Sequence, residues 1–481
     1  MSFFRLAAAA LLVGGTVLAQ GQQGLAAADR QLAHDVFQQL IEINTTDSVG
    51  STTAAAEAMR QRLLAAGFPA ADLMVMGPNE RKGNLVARYR GAAGSSLKPI
   101  LVICHVDVVE AKRSDWTTDP FKFTEKDGYF YGRGTQDMKD SDAILVTDFI
   151  RLKREGYVPD RDIVLALTAD EEGGASNGVS WLLQHHRELM DADFVLNPDA
   201  GGITSTKNKP VSMGVEATEK LYADYVFATK NPGGHNSVPG PENAIYELTD
   251  ALGRVERAPF PFELNEVTRA YYERMAKIDT GQRAADISTM LRDESATDAG
   301  RAAIARLSKD PVDNSTMRTT CVATMIQGGH APNALPGAAQ ANVNCRILPG
   351  HSQEEVRQEL IKIAADPRVT VSYKNDAGEV LGLGSTKQSM KPPPLKAEVM
   401  DPLKKVVEAM WPGLPVVPEM ETGASDSIFT MGAGLPSYGI SGVAIDRDDD
   451  RAHGRDERVW AESYYTGVVF YYKYLKALTE K

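Results

Sequence analysis

Cysteine is scarce. The chain holds three in 481 residues, too few for a disulfide framework. Cys104, Cys321 and Cys345 do not follow a structural-zinc spacing, so at most one bridge can form. Basic charge is also short: 52 Lys and Arg stand against 64 Asp and Glu, a net charge of -12. Such a surface repels phosphate backbones and anionic lipid, which argues against a nucleic-acid partner. Charged residues reach only 24% against 43% apolar ones, and this excludes disorder or coiled coil as a description of the whole chain. After the N-terminal segment, no stretch is long and apolar enough to span a bilayer. What is left is a globular chain of about three domain-equivalents at roughly 150 residues each.

The first nineteen residues read as an address. Residues 1–5 carry one positive side chain, residues 6–19 are apolar, and Val17 and Ala19 are small residues at the -3 and -1 positions of a cut before Gln20. No cysteine follows the cut to take a lipid. The expectation is export to the periplasm or medium, the alternative being an uncleaved amphipathic anchor.

Downstream, apolar residues at helical spacing predict helices over 29–43 and 52–66. Continuous apolar runs over 99–107 and 162–168 predict strands buried on both faces. A helix over 141–155 separates them, and a helix over 178–189 and a strand over 193–197 follow. Strands alternating with helices imply an α/β three-layer sandwich with a largely parallel sheet. From residue 215 to 391 the pattern changes to α+β: strands over 221–229, 318–327, 340–348 and 369–373, helices over 241–255 and 353–364, and a mostly helical stretch over 265–309. A Pro-rich linker, KPPPL, precedes helices over 400–410 and 462–478. The reading is one domain over 26–214 and 392–481, interrupted by an inserted lid over 215–391.

Five points carry chemistry. His105-Val106-Asp107 ends a buried strand, where side chains two apart point the same way, so Asp107 can hold the imidazole by its second nitrogen. Asp137 lies in a glycine-flanked loop, GRGTQD, before a helix. Glu171 and Glu172 follow the strand DIVLALT and repel one another unless a cation or proton intervenes. Asp199 ends the next strand, and His453 comes late in the chain. Each alone has a bland explanation, such as a structural histidine, an N-cap or a solvated charge cluster. Together they form an oxygen-and-imidazole set suited to zinc, cobalt or manganese, and large enough for two ions sharing one carboxylate.

Written out in order, CHVDVV, YGRGTQDMKD, ALTADEEGG, NPDAGG, PGGH and AHGRDE resemble the di-zinc peptidase and amidohydrolase family of glutamate carboxypeptidase, aminoacylase, acetylornithine deacetylase, succinyl-diaminopimelate desuccinylase and the carnosinases. The resemblance covers nearly the whole chain after the export segment. It implies two zinc ions bridged by Asp137, with His105 and Asp199 on one and Glu172 and His453 on the other. It implies Glu171 as the unligated general base, acting on a water activated by the ions, and a cis bond at Asp137–Met138 although Met138 is not proline.

The inserted unit resembles the family's lid, which carries the dimerisation surface in many members, so a homodimer is one expectation. Its His235 matches the histidine that steadies the tetrahedral intermediate. Asn333 and Arg346 match substrate-holding positions, Arg346 being suited to a bidentate grip on a carboxylate. Thr422, Gly423 and Ser425 resemble the loop lining the pocket. Asp rather than Glu at 199 and the long lid insertion resemble the dipeptidases and the carboxypeptidase S and N-acyl-amino-acid hydrolase branch, implying a peptide or N-acyl amino acid substrate. A di-zinc aminopeptidase and a non-catalytic peptide-binding protein are the competing readings. Cys321 and Cys345 fall on the two lid strands, equidistant from residue 333, where a disulfide and a pair of reduced core residues are equally open.

Overall fold

A computed structural model describes residues 25–375, 378–387, 389 and 392–480. The expected export signal and Lys391 of the Pro-rich linker lie outside the described residues. The chain forms two compact units. One comprises the segment up to Met213 with Lys396–Val416 and Ile440–Lys481, the other Gly214–Leu395 with Val417–Gly439.

In the first unit, the strands Ile100–His105 and Ile163–Thr168 are buried at every residue, as runs without a polar face must be. They pair in parallel, Ile100 opposite Ile163 and His105 opposite Thr168. Phe194–Asn197 joins in parallel on the other side of Ile100–His105, and Asn84–Tyr89 lies antiparallel to Ile163–Thr168. Leu73–Met76, too short and irregular in pattern to be foreseen, closes that edge antiparallel to Asn84–Tyr89. Three parallel strands thus end on one side of the sheet. The helices Ala27–Glu42, Lys139–Arg154 and Ala461–Thr479 pack in succession, and Thr52–Ala65 covers the antiparallel pair. The helix expected over 178–189 is two helices, Gly178–His185 and Arg187–Met190, broken at His186.

The second unit is built on a five-stranded antiparallel sheet in the order Thr320–Gly328, Ala338–Ile347, Leu221–Lys230, Val369–Lys374, Val380–Leu381. Alternation in Leu221–Lys230 sends Ala223, Tyr225 and Phe227 into a core shared with Leu248, Val255 and Leu360 of the helices Ala244–Arg257 and Gln353–Ala364. Ser352 and Glu355 form a capping box that starts the latter helix. Cys321 and Cys345 face each other directly across the first two strands and are joined as a disulfide. The stretch after Asn265 folds into the helices Glu266–Ile278, Gly281–Asp293 and Asp298–Leu307, around a cluster of its own containing Tyr272, Ile287 and Met290.

Candidate metal centre

The carboxyl ends of the three parallel strands deliver His105, the Asp170–Glu172 loop and Asp199 to one place, the position where open α/β sheets set their sites. His105 closes its strand and is buried. Its Nε2 lies 3.0 Å from Oδ1 of Asp137 and 3.4 Å from Oδ1 of Asp199. On the other side, Nε2 of His453 lies 3.0 Å from Oδ2 of Asp137 and 2.8 Å from Oε2 of Glu172. One carboxylate of Asp137 therefore stands between two imidazoles, each with a second carboxylate.

Nε2 of His105 and Oδ1 of Asp137 are buried and make no directed hydrogen bond among the described residues. Buried polar atoms rarely stay unsatisfied, and a nitrogen and an oxygen aimed into one space fit a divalent cation. Ligand atoms of His105, Asp137 and Glu172 lie within 4.8 Å of one another, as do those of His105, Glu171 and Asp199. The cluster's need for positive charge is also visible in its acid–base balance. Burial opposes a charge on His105, yet Asp199 and Asp137 hold its pKa well above the ordinary value. Hydrogen bonds to Asp137 and Glu172 lift His453 to about 10. Burial would raise Asp137, but His105 and His453 pull it below its ordinary value. The same carboxylates that favour two imidazolium ions favour two metal ions.

The loop carrying Asp137 is shaped by glycine and by a distant acid. Gly134 has a φ of +93°, and a Cβ there would meet Cδ of Lys139 at 2.9 Å. Glu457, fully buried, accepts hydrogen bonds at Oε1 from the amides of Gly134, Gln136 and Asp137, at 3.1, 2.8 and 3.3 Å. Its Oε2 takes Nη1 of Arg133 at 2.5 Å, and Nη2 of Arg133 donates to the carbonyls of His453 and Gly454. The peptide bond between Asp137 and Met138 is cis.

Asp107 works differently from the expectation. Nδ1 of His105 is nearest the main-chain oxygen of Asp107, at 3.1 Å, and 3.8 Å from its carboxylate. The carboxylate instead accepts the amides of Glu171 and Glu172 at 3.2 and 3.0 Å. Burial pushes it up to about 6, against the pull of His105 and these two amides. Asp107 thus ties the histidine strand to the glutamate loop.

The other candidates lie in the second unit. His235 pairs with Ala334, its Nδ1 accepting from Ser237, and the amide of Asn236 donates to the carbonyl of Asn333, so His235 and Asn333 are brought together. The Arg346 guanidinium sits 4.9 Å from the Tyr222 ring centre. Gly423 donates its amide to Glu421 and Ser425 donates its amide to Glu219, while Thr422 is half-buried beside them. Arg133, Glu457 and Lys82 went unnoticed in the sequence. The first two stand inside the quoted motifs, but partners 324 residues apart leave no local pattern.

Residues 101–477 match the profile of peptidase family M20/M25/M40, and the chain belongs to this family of hydrolytic enzymes. It is 27% identical over 392 residues to the mouse N-fatty-acyl-amino acid synthase/hydrolase PM20D1, covering 79% of this chain and 74% of that protein. It is 28% identical to the probable carboxypeptidase S-like 2 of Dictyostelium discoideum, covering 83% and 75%. The fold matches a family M20 metallo-carboxypeptidase from Sulfolobus solfataricus with a TM-score of 0.64 at 16% identity over 93% of this chain and 99% of that one. Human carnosine dipeptidase 1 matches with a TM-score of 0.61 at 14% identity, over 97% and 99%. No helix among the described residues is long and apolar enough to cross a membrane.

Proposed function

We propose that this chain is an exported zinc hydrolase that cleaves the amide of N-acyl amino acids or the C-terminal bond of short peptides. The Asp137 carboxylate between two imidazoles carries the reading. Two zinc ions, with cobalt or manganese as substitutes, would be held by His105, Asp199 and Asp137 on one side and Glu172, His453 and Asp137 on the other. When bound they supply Lewis-acid polarisation and a water of lowered pKa. Glu171, on the loop whose amides Asp107 holds, takes the proton of the attacking water and returns it to the leaving amine. His235 is assigned to the oxyanion, Arg346 and Asn333 to the substrate's polar end, and Thr422, Gly423 and Ser425 to the pocket lining, all on the family resemblance.

The names of the mouse and Dictyostelium relatives support the acyl-amino-acid and carboxypeptidase choices. The test is a screen of purified, zinc-loaded protein on N-acyl amino acids, N-blocked dipeptides and free dipeptides. Hydrolysis of blocked substrates is expected. A strict need for a free amine would make the enzyme an aminopeptidase, and tight peptide binding without turnover would make it a binding protein. The disulfide supports export, which N-terminal sequencing of secreted material starting at Gln20 would establish. A homodimer is supported by the sheet-edge strand Thr320–Gly328, which leaves Val322, Met325 and Ile326 exposed. Sedimentation at micromolar concentration checks it.

A further inference from the structure

Three consecutive acids, Asp170, Glu171 and Glu172, follow the strand Ile163–Thr168, and a metal centre of the kind proposed has use for two of them. The side chain of Asp170 pairs elsewhere and is almost completely buried, at 1% exposure. Its Oδ1 forms an ion pair with Nζ of Lys82, a buried lysine from the connection between Leu73–Met76 and Asn84–Tyr89. The same ammonium reaches Oδ1 of Asp47 at 2.6 Å. Oδ2 of Asp170 accepts the amide of Ser176 at 3.2 Å, and its main-chain oxygen accepts Nδ2 of Asn177 at 3.2 Å.

The backbone agrees with this placement. Asp170 has a φ of +57°, a left-handed turn that reverses the chain as the strand ends. Gly174 has a φ of +106°, and a Cβ there would fall 2.3 Å from Oδ2 of Asp170, so the loop closes directly over the carboxylate. Just before the turn, Oδ1 of Asn84 accepts the amide of Ala169 at 2.9 Å. Two residues after Lys82, then, the same connection also grips the end of the strand.

We propose that Lys82 is a positioning residue for the metal centre: by binding the first acid of the triplet, it leaves Glu171 and Glu172 to face His105 and His453. Asp107 fixes the amides of Glu171 and Glu172, and Lys82 fixes the carboxylate that precedes them. An unpaired Asp170 would be a buried anion repelled by the buried carboxylate of Asp107. It would relax by turning the loop.

This inference rests on the proposed metal centre, and its test reads metal binding directly rather than hydrolysis alone. The wild type, Lys82→Met and Lys82→Arg are compared by titrating the metal-stripped proteins with Zn(II) in a calorimeter and with Co(II) by visible absorption. Lys82→Met is expected to weaken metal binding about 10- to 100-fold, the effect of removing a residue that orients ligands, and to change the Co(II) spectrum. Lys82→Arg, which restores the charge, is expected to recover most of the affinity. With an N-acyl amino acid as substrate, kcat falls in Lys82→Met while KM changes little. Lys82→Gln carries the same expectation should Lys82→Met not fold. Wild-type affinity and spectrum in Lys82→Met, with only a lower melting temperature, would reduce Lys82 to a structural ion pair and overturn the proposal. If the wild type binds two equivalents of metal but hydrolyses no tested amide, the proposed function fails while the Lys82 comparison still stands.

Discussion

Oδ1 of Asp137 lies 3.0 Å from Nε2 of His105, and Oδ2 lies 3.0 Å from Nε2 of His453. These two histidines are 348 residues apart in sequence, and a single carboxylate joins them. Asp137→Asn keeps the shape and removes the charge that both sides share. It should abolish tight binding of both equivalents and lower kcat/KM by about 10³-fold, since metal ions supply several kcal/mol of transition-state stabilisation. Metal content by elemental analysis, alongside kinetics, checks this.

Glu171 and Glu172 separate by the same measurement. Glu171→Gln is expected to keep two equivalents of metal and to lose about 10²- to 10⁴-fold in kcat, the usual weight of a general base. Glu172→Gln is expected to lose one equivalent. Ligand atoms of Glu171, His105 and Asp199 approach within 4.8 Å, so loss of metal in Glu171→Gln would recast Glu171 as a ligand.

Glu457 and Arg133 form a buried pair at 2.5 Å, with side chains 0% and 3% exposed. The pair ties the Asp137 loop to the His453 segment. Glu457→Gln leaves the guanidinium buried without its counter-charge, a change that typically costs about 3–5 kcal/mol. Urea unfolding should report that loss, and metal affinity should fall with it because the amides of Gly134, Gln136 and Asp137 lose their anionic acceptor.

The strand ends were legible because burial on both faces writes itself as a continuous apolar run, and a polar residue ending such a run is conspicuous. His105, Glu171, Glu172 and Asp199 all stand out in this way. The carboxylate of Asp107 does not follow strand alternation, which ceases after His105, where the strand ends. Its side chain then follows the loop geometry and meets the amides of Glu171 and Glu172. Lys82 and Glu457 were invisible for another reason. A buried charge is chosen by a partner supplied by the tertiary fold, and no periodicity records it.

The disulfide between Cys321 and Cys345 closes a segment with a sequence separation of 24, and a loop of that size contributes about 3 kcal/mol in the chain-entropy account. Cys321→Ser with Cys345→Ser, or reduction by dithiothreitol, should lower the denaturant midpoint accordingly. Alkylation without reductant should leave the native protein unmodified, because Cys104 is fully buried.

Glu419 offers a pH dependence away from the metal centre. Burial, then the charge of Glu421, pushes its carboxyl up to about 7. The packing around it is close: a Cβ at Gly214 would fall 2.3 Å from Oε2 of Glu419. The unfolded chain releases this proton near pH 4.3, whereas the folded chain keeps it until about 7. Between these values the folded state binds more protons, so its stability falls as pH rises through the window and the loss is complete above about 7. Glu419→Gln removes the group that must ionise. The variant should match the wild type near pH 4.5 and exceed it at pH 8 by about 3–4 kcal/mol, on the rule of about 1.4 kcal/mol per pKa unit. Denaturant midpoints across pH 4.5 to 8 measure the difference, and parallel curves for the two proteins would mean that Glu419 is ionised in the fold at little cost.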